Sequence, residues 1–243
     1  DLVIVSQKGW VRVRQGHEHD ATQFSFKAGD GMYTTFEVRT VDVIQGFGSD
    51  GRVYTVPVSE LPGARGDGSP LTSFVNLAAG SQMVAYYAGQ PDDLVLLSTK
   101  AGYGFLANVA DMTTRNKAGK SFVSIDTKVP GDAPLGAVKV KVGMKQVACL
   151  SEASKLLVFP LDELKRLPTG GKGVILMGLD DKEFLASAIA VGSDGATYAG
   201  AGRAGKPTEL NLDAKTLKSF AGNRARKGHF VEPRLKDGKL IAN

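Results

Sequence analysis

At 243 residues, 42% hydrophobic and 23% charged, the chain has the composition of a globular protein able to bury a substantial core. A single cysteine excludes a disulfide scaffold, and no apolar run approaches the roughly eighteen residues of a membrane-spanning helix. The net charge is +5, yet residues 200–243 carry ten Lys/Arg against four Asp/Glu, so the preceding residues net −1. Asp1-Leu2-Val3-Ile4-Val5 lacks the basic start of a signal peptide, and the missing initiator Met suggests a piece of a longer protein. Cys149 lies in the apolar run Val147-Ala148-Cys149-Leu150, which predicts a buried, inert thiol and a reducing, cytoplasmic setting.

In chain order, short β-type runs recur, each closing on a turn. Leu2-Val3-Ile4-Val5 leads through Gly9 into Trp10-Val11-Arg12-Val13, and the run from Val41 leads through Asp50-Gly51 into Arg52-Val53-Tyr54. Leu94-Val95-Leu96-Leu97 leads through Gly102 into Tyr103-Gly104-Phe105, and Val147 to Ser151 leads through Ala153-Ser154 into Leu156-Leu157-Val158-Phe159. Anchored on Gly9, Gly51, Gly102 and Ala153, the intervals are 42, 51 and 51 residues. Such runs predict hairpins, with Asp50-Gly51 the clearest turn. A fifth hairpin is expected only loosely, across residues 190–198.

Each hairpin is followed by a piece long enough for one helical turn and then by a basic, Gly-containing box. The boxes are Ala64-Arg65-Gly66-Asp67-Gly68, Arg115-Asn116-Lys117-Ala118-Gly119-Lys120, Gly170-Gly171-Lys172-Gly173 and Arg224-Ala225-Arg226-Lys227-Gly228. Gly68, Gly119, Gly173 and Gly228 are 51, 54 and 55 residues apart. Lys27-Ala28-Gly29-Asp30 reads as a weaker box in the first repeat. A period near fifty residues with about four strands per repeat predicts an all-β, propeller-like array of five four-stranded blades. Their approximate bounds are 1–40, 41–93, 94–145, 146–193 and 194–243, in one domain without a linker. Strands contributed across blade boundaries and an open ring are compatible with the pattern.

These hairpins and boxes resemble the C-terminal domains of the type IIA topoisomerase A subunits, gyrase and topoisomerase IV. Gln7-Lys8-Gly9-Trp10-Val11-Arg12, residues 61–72, Ala101-Gly102-Tyr103-Gly104-Phe105, residues 115–120 and Leu157-Val158-Phe159-Pro160 carry the likeness, which covers nearly the whole chain. It implies a β-pinwheel that binds and bends duplex DNA and holds no catalytic residue. It also implies that the DNA-cleaving tyrosine and the ATP- and Mg2+-dependent machinery lie in the rest of an A2B2 holoenzyme. Implied partners are duplex DNA, the remainder of the topoisomerase IV A subunit, the B subunit and, in some bacteria, a condensin subunit. No membrane partner is implied, and the setting is cytoplasmic and nucleoid-associated, with a membrane-peripheral holoenzyme as the variant. Gyrase carries a Gln-Arg-Arg-Gly-Gly-Lys-Gly box; here Gly170-Gly171-Lys172-Gly173 keeps only its second half, which favours the topoisomerase IV branch. That branch supports decatenation and relaxation without introducing negative supercoils.

The expected DNA contacts are Arg12, Arg14, Arg65, Arg115, Lys117, Lys120, Lys172, Arg224, Arg226 and Lys227, projected outward by turns. Lys8, Lys165 and Arg166 belong to the same acid-free clusters. No recognition helix is apparent, so contacts to phosphates rather than bases are expected. The competing reading is a propeller whose basic rim meets an acidic protein. Gly200-Ala201-Gly202-Arg203-Ala204-Gly205-Lys206 has P-loop spacing but ends in Pro207, which denies it the magnesium-binding hydroxyl and a helix start. His17-Glu18-His19-Asp20 reads as a solvated loop rather than a metal site, and no catalytic triad assembles. Trp10, Phe105 and Phe159 are expected in blade cores.

Overall fold

Apolar runs ending in a turn residue fold into hairpins in this computed structural model, which describes residues 1–16, 20 and 23–243. β1 (Leu2–Ser6) turns into β2 (Trp10–Arg14), and β4 (Val43–Gly48) into β5 (Arg52–Pro57). β8 (Leu94–Thr99) turns into β9 (Tyr103–Asn108), and β12 (Gln146–Ser151) into β13 (Lys155–Pro160). Gly9, Gly51 and Gly102 hold φ of 82°, 90° and 95° there, a region that L side chains avoid. The fourth turn departs from the expected anchor: Ser154, not Ala153, takes the left-handed position, at φ 68°.

The chain forms two compact units, residues 1–93 with 108–123 and residues 94–107 with 124–243. β3 (Met32–Glu37), β6 (Ser69–Pro70), β7 (Met83–Gly89) and β10 (Lys120–Ser121) complete two four-stranded sheets in the first unit, ordered β3-β1-β2-β6 and β10-β5-β4-β7. Its core gathers Val3, Val5, Val11, Ile44, Tyr54 and Leu71. In the second unit, β11 (Pro134–Lys139), β14 (Val174–Ile175), β15 (Leu185–Val191) and β18 (His229–Phe230) give sheets β11-β8-β9-β14 and β15-β12-β13-β18. Its apolar clusters include Leu96, Phe159 and Leu176, and around β13 Leu150, Val158 and Tyr198. Phe105 and Phe159 are buried as expected, whereas Trp10 is only half-buried. Cys149 is fully buried, and burial pushes its thiol pKa up, so it is not a reactive thiolate.

The fifth sheet corrects two expectations. β16 (Ala196–Ala201) pairs with β17 (Pro207–Leu212) and β19 (Lys236–Ala242), so residues 202–206, not 190–198, make the fifth hairpin turn. It has three strands where the period implied four. Each four-stranded sheet takes its fourth strand from the box after the next hairpin, and no described strand pairs with the free edge of β17. Lys27-Ala28-Gly29-Asp30 is not a box either. Asp30 N–H donates to the Lys27 carbonyl in a tight turn before β3, as Ser81, Asp132 and Glu183 do before β7, β11 and β15.

The exchange of fourth strands has one fixed register. Trp10, Arg52, Tyr103 and Lys155 face Pro70, Ser121, Ile175 and Phe230, the second residue of each two-residue strand. Each strand is entered from a box glycine with positive φ: Gly68 88°, Gly119 75°, Gly173 81° and Gly228 71°. A Cβ there would lie 2.3 Å from Val11 O, 2.9 Å from Val53 O, 2.0 Å from Gly104 O and 2.5 Å from Leu156 O. The glycines are therefore required by the joint between repeats. Before each box comes the expected single helical turn: 3-10 turns Val58–Glu60 and Leu161–Glu163, α1 (Val109–Met112) and α2 (Ala214–Lys218).

Replacing Gly173 with alanine should destabilise the fold by about 1–3 kcal/mol through the left-handed backbone, and more if the Gly104 carbonyl cannot move. Gly143, also left-handed but with open space at its Cβ position, should lose no more than the backbone share. Equal urea midpoints for the two variants would show that the carbonyl contact is unimportant.

Candidate nucleic-acid interface

The box loops place cations in a repeated structural position, immediately before an exchanged strand. Arg65, Arg115, Lys117 and Arg226 are exposed there, and none has an ion pair among the described residues. Arg14, at the end of β2, is exposed beside the Phe24 ring, 5.7 Å from its centroid. Arg14 and Arg65 also line an open cleft of about 760 Å³ in the first unit, with Asp1, Thr40 and Ser59. Lys120 is half-buried, and its Nζ donates to the Asp111 carbonyl at 2.8 Å.

Arg12 is not on the rim. It is 4% exposed, donates through Nη1 to Gly66 O at 2.8 Å and through Nη2 to Ser25 O at 2.5 Å, and lies near the Phe24 and Phe26 rings. Strand alternation explains this: Val11 faces the core, and Arg12, on the opposite face, is covered by residues 24–26 and the box loop. A buried guanidinium satisfied by carbonyls braces structure rather than meeting solvent phosphate. Arg224 is partly diverted as well, with Nη1 donating to Ile175 O at 2.6 Å and Nε 3.6 Å from Glu163.

Lys172 and Lys227 are exposed but paired. Lys172 Nζ lies 3.3 Å from Asp126 and 4.2 Å from the Tyr103 ring centroid, and the hydrogen bond to Asp126 raises its pKa. Lys227 pairs with Asp180, which also accepts from Lys155 at 2.6 Å; hydrogen bonds from Lys155 and then Lys227 bring the Asp180 pKa down to about 2. These carboxylates were not singled out from the sequence, because each comes from a different loop. Arg52 was missed too: its Nε and Nη2 donate to the carbonyls of Ala118 and Gly119 at 2.9 and 3.0 Å, holding the second box. A signal for it exists, since Arg52 follows the turn glycine as Trp10 and Tyr103 do.

The P-loop-like segment is the β16–β17 hairpin turn, where one 3-10 turn at Arg203–Gly205, broken by left-handed Ala204, runs into β17 instead of opening the helix that a P-loop needs. Among the described residues no three His, Cys, Asp or Glu side chains converge on a metal-sized space. His17, Glu18 and His19 lie outside the described residues. No helix among the described residues is long and apolar enough to cross a membrane.

Exchanged two-residue strands, hairpins and single helical turns define a β-pinwheel, a relative of the β-propeller. The family model described as "DNA gyrase C-terminal domain, beta-propeller" matches residues 47–80, from the end of β4 through β5 and its box, and residues 145–191, which hold the β12–β13 hairpin and its box. The A subunit of DNA topoisomerase 4 from Neisseria gonorrhoeae is 33% identical over 233 residues, 92% of this chain and 29% of the relative. Its Pseudomonas aeruginosa counterpart is also 33% identical, over 93% of this chain and 30% of its own length. The chain thus spans about three-tenths of the relatives it matches. The Escherichia coli ParC C-terminal domain superposes with a TM-score of 0.79 and 25% identity over 100% of this chain and 98% of that one. A DNA gyrase A C-terminal domain, 16% identical over 100% of this chain and 82% of that one, shares the fold at a TM-score of 0.70. The chain belongs to the C-terminal domain family of the bacterial gyrase and topoisomerase IV A subunits.

Arg12→Ala should destabilise by about 2–4 kcal/mol, since losing a buried charged donor leaves two carbonyls behind. Arg65→Ala should stay within about 0.5 kcal/mol of the parent in the same urea titration. A neutral Arg12→Ala would return that residue to the rim.

Proposed function

We propose that this chain is a non-catalytic DNA-binding and DNA-bending module of a topoisomerase IV A subunit. It would present a duplex segment to the rest of an A2B2 enzyme during ATP-dependent decatenation and relaxation. The observation that carries the reading is the recurrence of exposed cations, Arg65, Arg115, Lys117 and Arg226, in loops that each precede an exchanged strand. Duplex DNA is a regular line of phosphates, and cations repeated in equivalent loops can meet it without reading bases. Bending costs on the order of a few kcal/mol, which contacts distributed over several loops can offset. The relatives named as DNA topoisomerase 4 support this branch over gyrase, as does the incomplete box around Lys172.

If about five cations meet phosphates, log affinity should fall against log salt with a slope of roughly −4 to −5. Arg115→Ala with Lys117→Ala should flatten that slope by about two units and leave the urea midpoint unchanged. Ligating nicked plasmid with the chain bound should shift the linking number less than a gyrase domain does. Unaltered DNA affinity in the double variant would defeat the reading, and a large positive wrap would move it to the gyrase branch.

A further inference from the structure

The box cations differ in what holds them, and the difference follows the two units except at Arg226, which is exposed without an ion pair among the described residues although it lies in the second. In the first unit Arg65, Arg115 and Lys117 are exposed without an ion pair among the described residues. In the second unit Lys172, Arg224 and Lys227 each lie beside a carboxylate: Asp126, Glu163 and Asp180 respectively. Two of the acids hold equivalent places, Asp126 and Asp180 each seven residues after a box glycine (Gly119 and Gly173), and the third comes from a helical turn. Asp126 precedes β11, Glu163 ends the 3-10 turn after β13, and Asp180 opens the turn before β15. Three separate loops thus deliver a negative charge to the one structural position where a phosphate would be expected.

A lysine within 4 Å of a carboxylate offers little to a second anion. The phosphate must displace the acid or sit beside it as a like charge, and an already neutralised cation releases no DNA counterion. Lys172 is held further by the Tyr103 ring, and Asp180 spans two lysines at once. An exposed pair is weak enough to be displaced, at about a two- to five-fold loss of affinity per box.

Resting on the DNA-binding reading above, we infer that Asp126 and Asp180 are internal competitors of phosphate. They attenuate the boxes of the second unit, so the boxes of the first unit carry most of the contact with DNA. The carboxylates thereby set how far the bound duplex is engaged, without touching it.

The test uses the whole chain and a fluorescent duplex of random sequence, titrated at several salt concentrations. Asp126→Asn keeps an acceptor for the Lys128 amide, 3.0 Å away, and Asp180→Asn leaves Lys155 beside Glu183 at 3.8 Å. Each should tighten binding at low salt and steepen the slope by about one unit, and together by about two. Lys227→Ala added to Asp180→Asn should remove the gain of that variant. Glu209→Gln, which neutralises an exposed acid on β17, should change the slope little. The reciprocal change, Asn116→Asp, retains the acceptor for Ala118 N at 3.0 Å and sets a carboxylate between Arg115 and Lys117; it should flatten the slope by about one unit. Parental slopes in both Asn variants, with Arg115→Ala/Lys117→Ala still weakened, would overturn the inference and leave DNA binding standing. An equal gain from Glu209→Gln would also overturn it, by showing a general charge effect. No salt-dependent binding by the parent chain would remove the DNA reading itself.

Discussion

Everything in this fold hangs on a glycine that passes against a neighbouring carbonyl. At Gly68, Gly119, Gly173 and Gly228 the backbone is left-handed and so close to the preceding hairpin's second strand that a side chain has no room. Only there can the chain leave its own repeat, pair two residues with the previous sheet and return. The joint explains why the exchanged strands are so short. Two residues suffice to close a sheet edge that would otherwise be open to aggregation, and a longer strand would carry the chain away from its own third strand. It also explains why the boxes are exposed: a loop that must turn sharply before a two-residue strand has no partner layer above it.

The same joint assigns the basic residues to different physical roles. A cation whose side chain reaches back toward the joint finds backbone carbonyls: Arg12 finds Gly66 O, Arg52 finds Ala118 and Gly119 O, and Arg224 finds Ile175 O. Such arginines stabilise the loop that their exposed neighbours occupy. Lys117 and Arg226, whose side chains leave the joint, remain in solvent. Holding a loop with one cation while presenting the next restricts where the presented charge can go. That matters for a partner whose charges are regularly spaced.

Much of this order is legible in the sequence because it is periodic. Turn residues at intervals near fifty, apolar runs of five or six and a Gly after each basic loop all report backbone geometry, which recurs whenever the repeat does. The hairpin at Ser154 falls one residue from its expected anchor because Ala153-Ser154 has no glycine to mark the left-handed position. The fifth hairpin is misleading because Asp194-Gly195 looks like a hairpin turn, whereas the turn that joins paired strands contains Arg203-Ala204-Gly205. Burial of Arg12 is not legible. Nothing local distinguishes it from Arg14, and its partners at Ser25 and Gly66 lie 13 and 54 residues away.

Charge pairing is the least legible feature, for the same reason. The clusters around Lys172 and Lys227 look acid-free along the chain, yet Asp126 is 46 residues from one and Asp180 is 47 from the other. Both distances are close to one repeat. A carboxylate placed one period before a lysine sits on the adjacent joint, where the exchanged strand brings the two loops together. In a strand-exchanged repeat protein, acid-free stretches therefore have to be judged one period apart as well as along the chain. By that measure Lys117 stays clear of acid, since the residues 46 and 47 positions before it are Leu71 and Pro70. The period that builds the sheets thus also decides which cations remain available to an external anion.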